Sequence, residues 1–192
     1  MLQSDEAVYT PHAGQARLHQ ARRDGVRSIW ARVARRWGKS RFALWDLLDC
    51  YQAALSIPVS KAIVPPFHAW IVVPSFPQAR QTWNELLQFI PEHLIQEGGV
   101  HHDGMFIYLR GSANRSWGQV EVKSAHDPDN LQSVGLDYLW IQEAQDVSDR
   151  AYEKILPTLR TPERMRMSIF EGIPSTYSEH WFQKGYRAIE RD

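Results

Sequence analysis

Residues Ala69-Trp-Ile-Val-Val-Pro74 form a short apolar run with no polar break, and a strand of that kind is buried on both faces, inside a parallel sheet with helices on either side. A helical pattern follows, Gln78 to Ile90, opened by Pro77. The same alternation occurs upstream. Ser28–Ala34 alternates bulky and polar residues as a strand, breaks at Arg35-Arg-Trp-Gly38, and resumes as a helix from Lys39 to about Leu55. Leu136-Asp-Tyr-Leu-Trp-Ile141 is the next buried strand, and Ser148-Asp149 caps a helix running towards Leu159, disturbed in its last turn by Pro157. Met165–Phe170 is another strand, and Ser178–Ile189 closes the chain as a helix. Met105–Arg110 and Gly118–Lys123, separated by the turn-rich Gly111–Ser116, predict a hairpin inserted into the sheet or edging it. Strands alternating with helices predict a three-layer α/β domain whose ligand site lies at the carboxyl ends of the strands.

The 192 residues, 43% apolar and 23% charged, suit one globular domain without linker, repeat or low-complexity segment. Lys plus Arg and Asp plus Glu are 22 each, so no global field marks a polyanionic partner. The balance is uneven along the chain. The first 41 residues hold nine Lys or Arg against three Asp or Glu, which suits a segment that meets negative charge. The single cysteine, Cys50, excludes an intrachain disulfide, and no run approaches the roughly 18 apolar residues that span a bilayer. Most of the eight tryptophans are expected in the core.

The segment with chemistry is Val33-Ala-Arg-Arg-Trp-Gly-Lys-Ser40, between a predicted strand and a predicted helix. Gly38 lets the backbone approach phosphate oxygens, Lys39 brings a point charge to the β- and γ-phosphates, and Ser40 offers a hydroxyl to Mg²⁺. The first-turn N–H groups of the helix complete the anion site. Where the usual phosphate loop opens with glycine, this chain has Val33. Such a site needs a second signature, an apolar strand ending in carboxylates that handle Mg²⁺ and the attacking water. Leu139-Trp-Ile-Gln-Glu143 supplies the strand and Glu143, with Gln142 in the seat of an aspartate. An amide there keeps the hydrogen-bonding shape and loses the charge, so it would hold magnesium only weakly, through water. Of three explanations for Gln142, an engineered change, a natural site in which Ser40 and the ATP phosphates suffice, or lost hydrolysis, the second is preferred because Glu143 is kept.

These segments resemble the ATPase domain of tailed-bacteriophage large terminase subunits, the motors that package DNA into proheads, over nearly the whole chain. Tyr9-Thr-Pro-His-Ala-Gly-Gln15 is similar to their adenine motif, and Ala34–Ser40 to their deviant phosphate loop. Lys123-Ser-Ala125 followed by Leu136–Glu143 resembles the second motif, and Gly172-Ile-Pro-Ser-Thr176 with His180-Trp-Phe the coupling segment. The resemblance implies a P-loop NTPase (RecA/ASCE-like) with a mainly parallel sheet, formed by residues 1–192 as one motor domain, with a nuclease domain on the carboxyl side outside this chain. It implies ATP and Mg²⁺ bound by Gln15, Arg35, Arg36, Trp37, Gly38, Lys39, Ser40 and Arg41, with Glu143 activating water and Arg35 sensing the γ-phosphate. Gly172, Ser175 and Thr176 would couple hydrolysis to movement. Arg110 and Arg115, flanking the hairpin loop, are candidates for an arginine supplied in trans to a ring neighbour. Implied partners are double-stranded DNA, a portal protein, a small terminase subunit and further copies of the chain, in the cytoplasm of an infected bacterium. A helicase-like DNA-dependent ATPase and a nucleotide-binding assembly module are the competing functions.

Other candidates read as ordinary surface or core. His101-His102-Asp103 sits in a glycine-bracketed turn without a spaced partner ligand, and Cys50 reads as a small buried apolar residue. Asp46 with Asp49, or Asp127 with Asp129, lack the setting of a nuclease cluster, and no DNA cleavage is expected.

Overall fold

The apolar runs form strands because nothing along them offers water a face. The structure, a computed structural model, describes residues 9–56, 66–112, 115–132, 134–162, 164–174 and 177–189. Seven strands make one sheet: β1 (Ser28–Arg32), β2 (Phe67–Val73), β3 (Ile95–His101), β4 (Phe106–Ser112), β5 (Arg115–Ser124), β6 (Tyr138–Ile141) and β7 (Met167–Gly172). Their order is β1-β7-β6-β2-β5-β4-β3, parallel from β1 through β5. β4 and β3 add antiparallel strands at one edge. The helices are α1 (Ala13–Arg23), α2 (Lys39–Ser56), α3 (Phe76–Phe89), α4 (Asp149–Ile155) and α5 (Trp181–Ile189).

Alternation along the strands divides the core. Ala69, Ile71 and Val73 of β2 pack with Leu47 and Tyr51 of α2 and Trp83 and Leu86 of α3. Trp70 and Val72 pack with Ile155 of α4 and Trp181 and Phe182 of α5 on the other face. Each fully buried Leu or Ile of these layers contributes about 1.5–3 kcal/mol relative to exposure. No described helix is long and apolar enough to cross a membrane.

The structure extends or trims several predicted bounds. β1 ends at Arg32, two residues before the predicted Ala34, and β7 runs on to Gly172. Ser148 caps α4 by accepting from the Ala151 N–H (3.2 Å). The helix stops at Ile155 and continues as a 3₁₀ turn, Leu156–Arg160, because Pro157 has no N–H for the α ladder. β3 is unpredicted. Its Gly98-Gly99 reads as a turn, yet Ile95 and Val100 pair with β4 on either side of a register shift that takes up the irregularity. Of the tryptophans, only Trp70, Trp83, Trp140 and Trp181 are buried among the described residues; the others are partly exposed.

Candidate functional site

All five parallel strands point their carboxyl ends the same way, and the loops there meet in a cavity of about 840 Å³. Its wall contains Arg35, Arg36, Gly38, Lys39, Ser40 and Arg41 from the β1–α2 connection and the first turn of α2, with Glu143, Gln145 and Asp146 after β6. Ile173, Pro174 and Tyr177 after β7 and Gln78 at the start of α3 complete it. The loop turns sharply: Arg36 has φ 64° and Gly38 φ 85°, the left-handed region that favours glycine. A Cβ at Gly38 would also lie 2.6 Å from Gln15 Nε2.

Gln15 is almost fully buried, 5% exposed. Its Nε2 donates to the Gly38 carbonyl (3.0 Å) and its Oε1 accepts from the His12 N–H (3.1 Å). His12 Nε2 donates in turn to the Trp37 carbonyl (2.9 Å), and its ring meets the Trp37 indole edge-on at 4.7 Å. The start of α1 therefore clamps the β1–α2 loop, and Gln15 and Trp37 are not part of the cavity wall.

Glu143 follows β6 with φ 42°. A non-glycine residue there is strained, and such strain collects at functional sites. Its Oε1 stands 3.8 Å from Lys39 Nζ, and its Oε2 accepts from Gln145 Nε2 (2.8 Å). Gln145 Nε2 also donates to Asp146 Oδ2 (2.9 Å), and Gln145 Oε1 accepts from the Ile173 N–H (3.0 Å). A Cβ on Gly172 would come within 2.3 Å of that oxygen, so glycine at the end of β7 is what lets Gln145 bridge to the next segment. Sequence reasoning missed Gln145; its only signal was an amide two residues after Glu143.

Gln142 lies elsewhere. Its backbone N–H continues the sheet by donating to the Val72 carbonyl (2.9 Å), and its Oε1 accepts from the Thr82 hydroxyl of α3 (2.9 Å). It is absent from the cavity wall. Arg110 and Arg115 sit on the hairpin at the amino end of β5, the opposite end of the sheet from Glu143. Arg110 Nε donates to the Ile95 carbonyl (2.8 Å); the Arg115 side chain, like Ser175 and Thr176, lies outside the described residues. Asp46 is held by Arg22, and no described cluster of three His, Cys, Asp or Glu could bind a metal ion.

Magnesium is tested by its donors. The Ser40 hydroxyl opens α2 at the cavity wall, with Glu143 and Asp146 across from it, an oxygen donor set of the kind a hard cation accepts. One direct protein ligand fits an ion otherwise held by phosphate oxygens and water; the Gln142 amide, turned to Thr82, adds none.

A buried carboxyl sits behind these groups. Glu171 of β7 is 2% exposed. Trp140 Nε1 donates to its Oε1 (3.3 Å), while Oε2 is buried without a partner. Burial raises its pKa to about 8, partly countered by the positive charge of Lys39 and reinforced by the negative charge of Glu143.

Neither protein-family models nor curated proteins give a match to this sequence. Solved structures do. The Thermus phage P74-26 large terminase ATPase domain superposes with a TM-score of 0.66 at 21% identity, covering 95% of this chain and 73% of that one. The large terminase of the thermophilic bacteriophage D6E superposes with a TM-score of 0.71 at 10% identity over 94% of this chain and 43% of that one. The same D6E protein in complex with ADP gives 0.67 at 10% identity, covering 93% of this chain and 42% of that one. With β1, β7, β6 and β2 adjacent and parallel, a glycine-lysine-serine loop leaving β1 and a carboxylate following β6, the chain has the P-loop NTPase fold of phage large terminase ATPase domains.

Proposed function

We propose that this chain is the ATP-hydrolysing motor domain of a tailed-phage large terminase and drives double-stranded DNA into a prohead. The observation that carries the reading is the meeting of Lys39 and Glu143, 3.8 Å apart, in the wall of one cavity with Gly38, Ser40 and Arg35. Lys39 and the N–H groups of the loop hold the phosphates, and Arg35 sits where it can meet the γ-phosphate. When ATP binds, Lys39 exchanges Glu143 for phosphate oxygens, and the freed carboxylate orients and deprotonates the attacking water. Ser40 would hold Mg²⁺, and the chemistry the ion would supply there is neutralisation of phosphate charge. Gln15, buried outside the cavity wall, serves this site by holding the Gly38 carbonyl and the His12 N–H, and its remaining N–H and lone pair would meet an adenine edge only if the base lay against the start of α1. Gln145 ties Glu143 to Ile173, which suits a segment that passes the state of the site to Gly172–Thr176.

The partners in this reading are double-stranded DNA, a portal protein, a small terminase subunit and further copies of the chain in a ring, in the cytoplasm of an infected bacterium. Arg110 and Arg115, at the far end of the sheet, would reach a phosphate only in a neighbouring chain, so the isolated chain is expected to be slow. One observation favours a second reading, a nucleotide-binding assembly module: Gln142, in the seat of an aspartate, bonds Thr82 and offers the site no charge. Magnesium-dependent ATP turnover under single-turnover conditions, with and without double-stranded DNA, separates the two. Hydrolysis stimulated by DNA supports the motor; nucleotide bound without hydrolysis supports the module. Strand displacement would instead indicate a helicase-like ATPase.

A further inference from the structure

Among the described residues, Glu171 is the one buried titratable group at the carboxyl end of the sheet that the proposed reaction does not use. Ile169 belongs to the α2 side of the core and Phe170 to the α5 side, so alternation puts Glu171 on the α2 side, beneath the phosphate loop. The charged groups bearing on it are Lys39, from α2, and Glu143, from the segment after β6. Trp140 of β6 gives its one hydrogen bond. On β1 its register neighbour is Ala31, and the adjacent Arg32 is turned away to Gln183 and Tyr186 of α5. Arg35, Arg36, Arg41 and Asp146 stand in the cavity wall beyond. β7 itself carries no other titratable side chain.

Two carboxyl groups thus share the field of one ammonium. Glu143 is partly exposed and pairs with Lys39 as an anion; Glu171 is buried, singly bonded and leaves one oxygen without a partner. We propose that Glu171 is a proton-linked positioning residue of the nucleotide site: protonated, it leaves Lys39 to the phosphates, and ionised, it competes with them for the same ammonium. The inference rests on the nucleotide-site reading of Lys39 and Glu143. Because burial raises its pKa to about 8, the switch falls within an accessible pH range. Bound phosphate charge favours the neutral carboxyl, so by linkage nucleotide binding takes up a proton and weakens as pH rises.

The test is titration of the chain with ADP and magnesium between about pH 7.5 and pH 9.5, where a terminal phosphate, with a second pKa of about 6, stays ionised. Calorimetry near pH 8 in two buffers of different protonation enthalpy counts the protons taken up. The wild-type Kd is expected to rise roughly three- to tenfold across the range, tenfold corresponding to one pKa unit, with uptake of a fraction of a proton. Glu171→Gln, which keeps the shape of the neutral carboxyl, is expected to show neither the slope nor the uptake. Equal slopes in the two proteins, or binding without proton uptake in the wild type, would overturn the proposal. The wild-type proton count decides even if the variant does not fold. Absence of ADP binding at every pH would instead refute the underlying nucleotide site, a result distinct from binding that ignores pH.

Discussion

The two ends of the parallel sheet treat buried charge differently. At the amino end both buried carboxylates among the described residues, Asp137 and Asp46, are fully partnered. Asp137, 0% exposed, accepts from Arg164 (2.8 Å), the His68 N–H (3.1 Å) and the Met165 N–H (3.0 Å). Asp46, also 0% exposed, takes both ends of the Arg22 guanidinium (3.1 and 2.9 Å), which reaches on to the carbonyls of Val26, Arg27 and Ser168. At the carboxyl end the charges are under-partnered: Glu171 has a single bond, and Lys39 and Glu143 stand 3.8 Å apart. Saturated pairs lock elements together, whereas groups with spare valence are ready for a ligand. The amino end is built for rigidity and the carboxyl end for exchange.

That contrast can be broken from either side. At the carboxyl end, Glu143→Gln is expected to lower kcat by about 10²–10⁴, the range for general-base assistance, with ATP binding kept and the unfolding midpoint unmoved. Steady-state and single-turnover hydrolysis alongside thermal melts check both halves. At the amino end, Asp137→Ala leaves the largely buried Arg164 without a carboxylate, keeping only the Pro66 carbonyl, and loss of one member of such a pair costs about 3–5 kcal/mol. Denaturant unfolding should show that loss, while nucleotide affinity of the folded fraction stays the same. A variant weakened in both properties would mean the two ends are not independent.

Smaller changes sharpen the difference. Gln145→Ala removes the donor that holds Glu143 and the acceptor for Ile173; it is expected to lower kcat by about tenfold, roughly 1.4 kcal/mol of barrier, with little change in KM. Glu171→Gln should alter stability only through pH. The native carboxyl keeps its proton to about 8, while the unfolded one loses it near 4.5. The native state therefore binds more protons in that window, and wild-type stability falls as pH rises from about 4.5 to about 8. The variant lacks that decline, and urea midpoints at several pH values reveal the difference between the two proteins.

Much of this was legible because burial and backbone needs leave marks in sequence. The apolar runs at 69–73 and 136–141 announced strands covered on both sides, and Gly38-Lys39-Ser40 between a strand and a helix announced a loop that lines the cavity at the carboxyl ends of the strands. What stayed hidden depends on tertiary pairing. β3 exists because β4 lends it a ladder, and its own Gly98-Gly99 argues for a turn. Gln15 was singled out for adenine, but its bond to the Gly38 carbonyl exists only once α1 folds against the loop, and nothing in a glutamine after an apolar strand tells that Thr82 will bind it. Glu171 lay just beyond the predicted end of its strand, so its burial within the field of Lys39 had no signal along the chain.

The most direct test of the site is ATP turnover by Lys39→Ala. The Lys39 side chain lies in the cavity wall and serves no core layer, so the variant should fold as the wild type does. In the proposed reaction its loss removes the charge that would stabilise phosphate in the transition state, and magnesium-dependent turnover is expected to fall below detection while the melting temperature and circular dichroism match the wild type. Undiminished turnover in that folded variant would contradict the assignment of the phosphate loop.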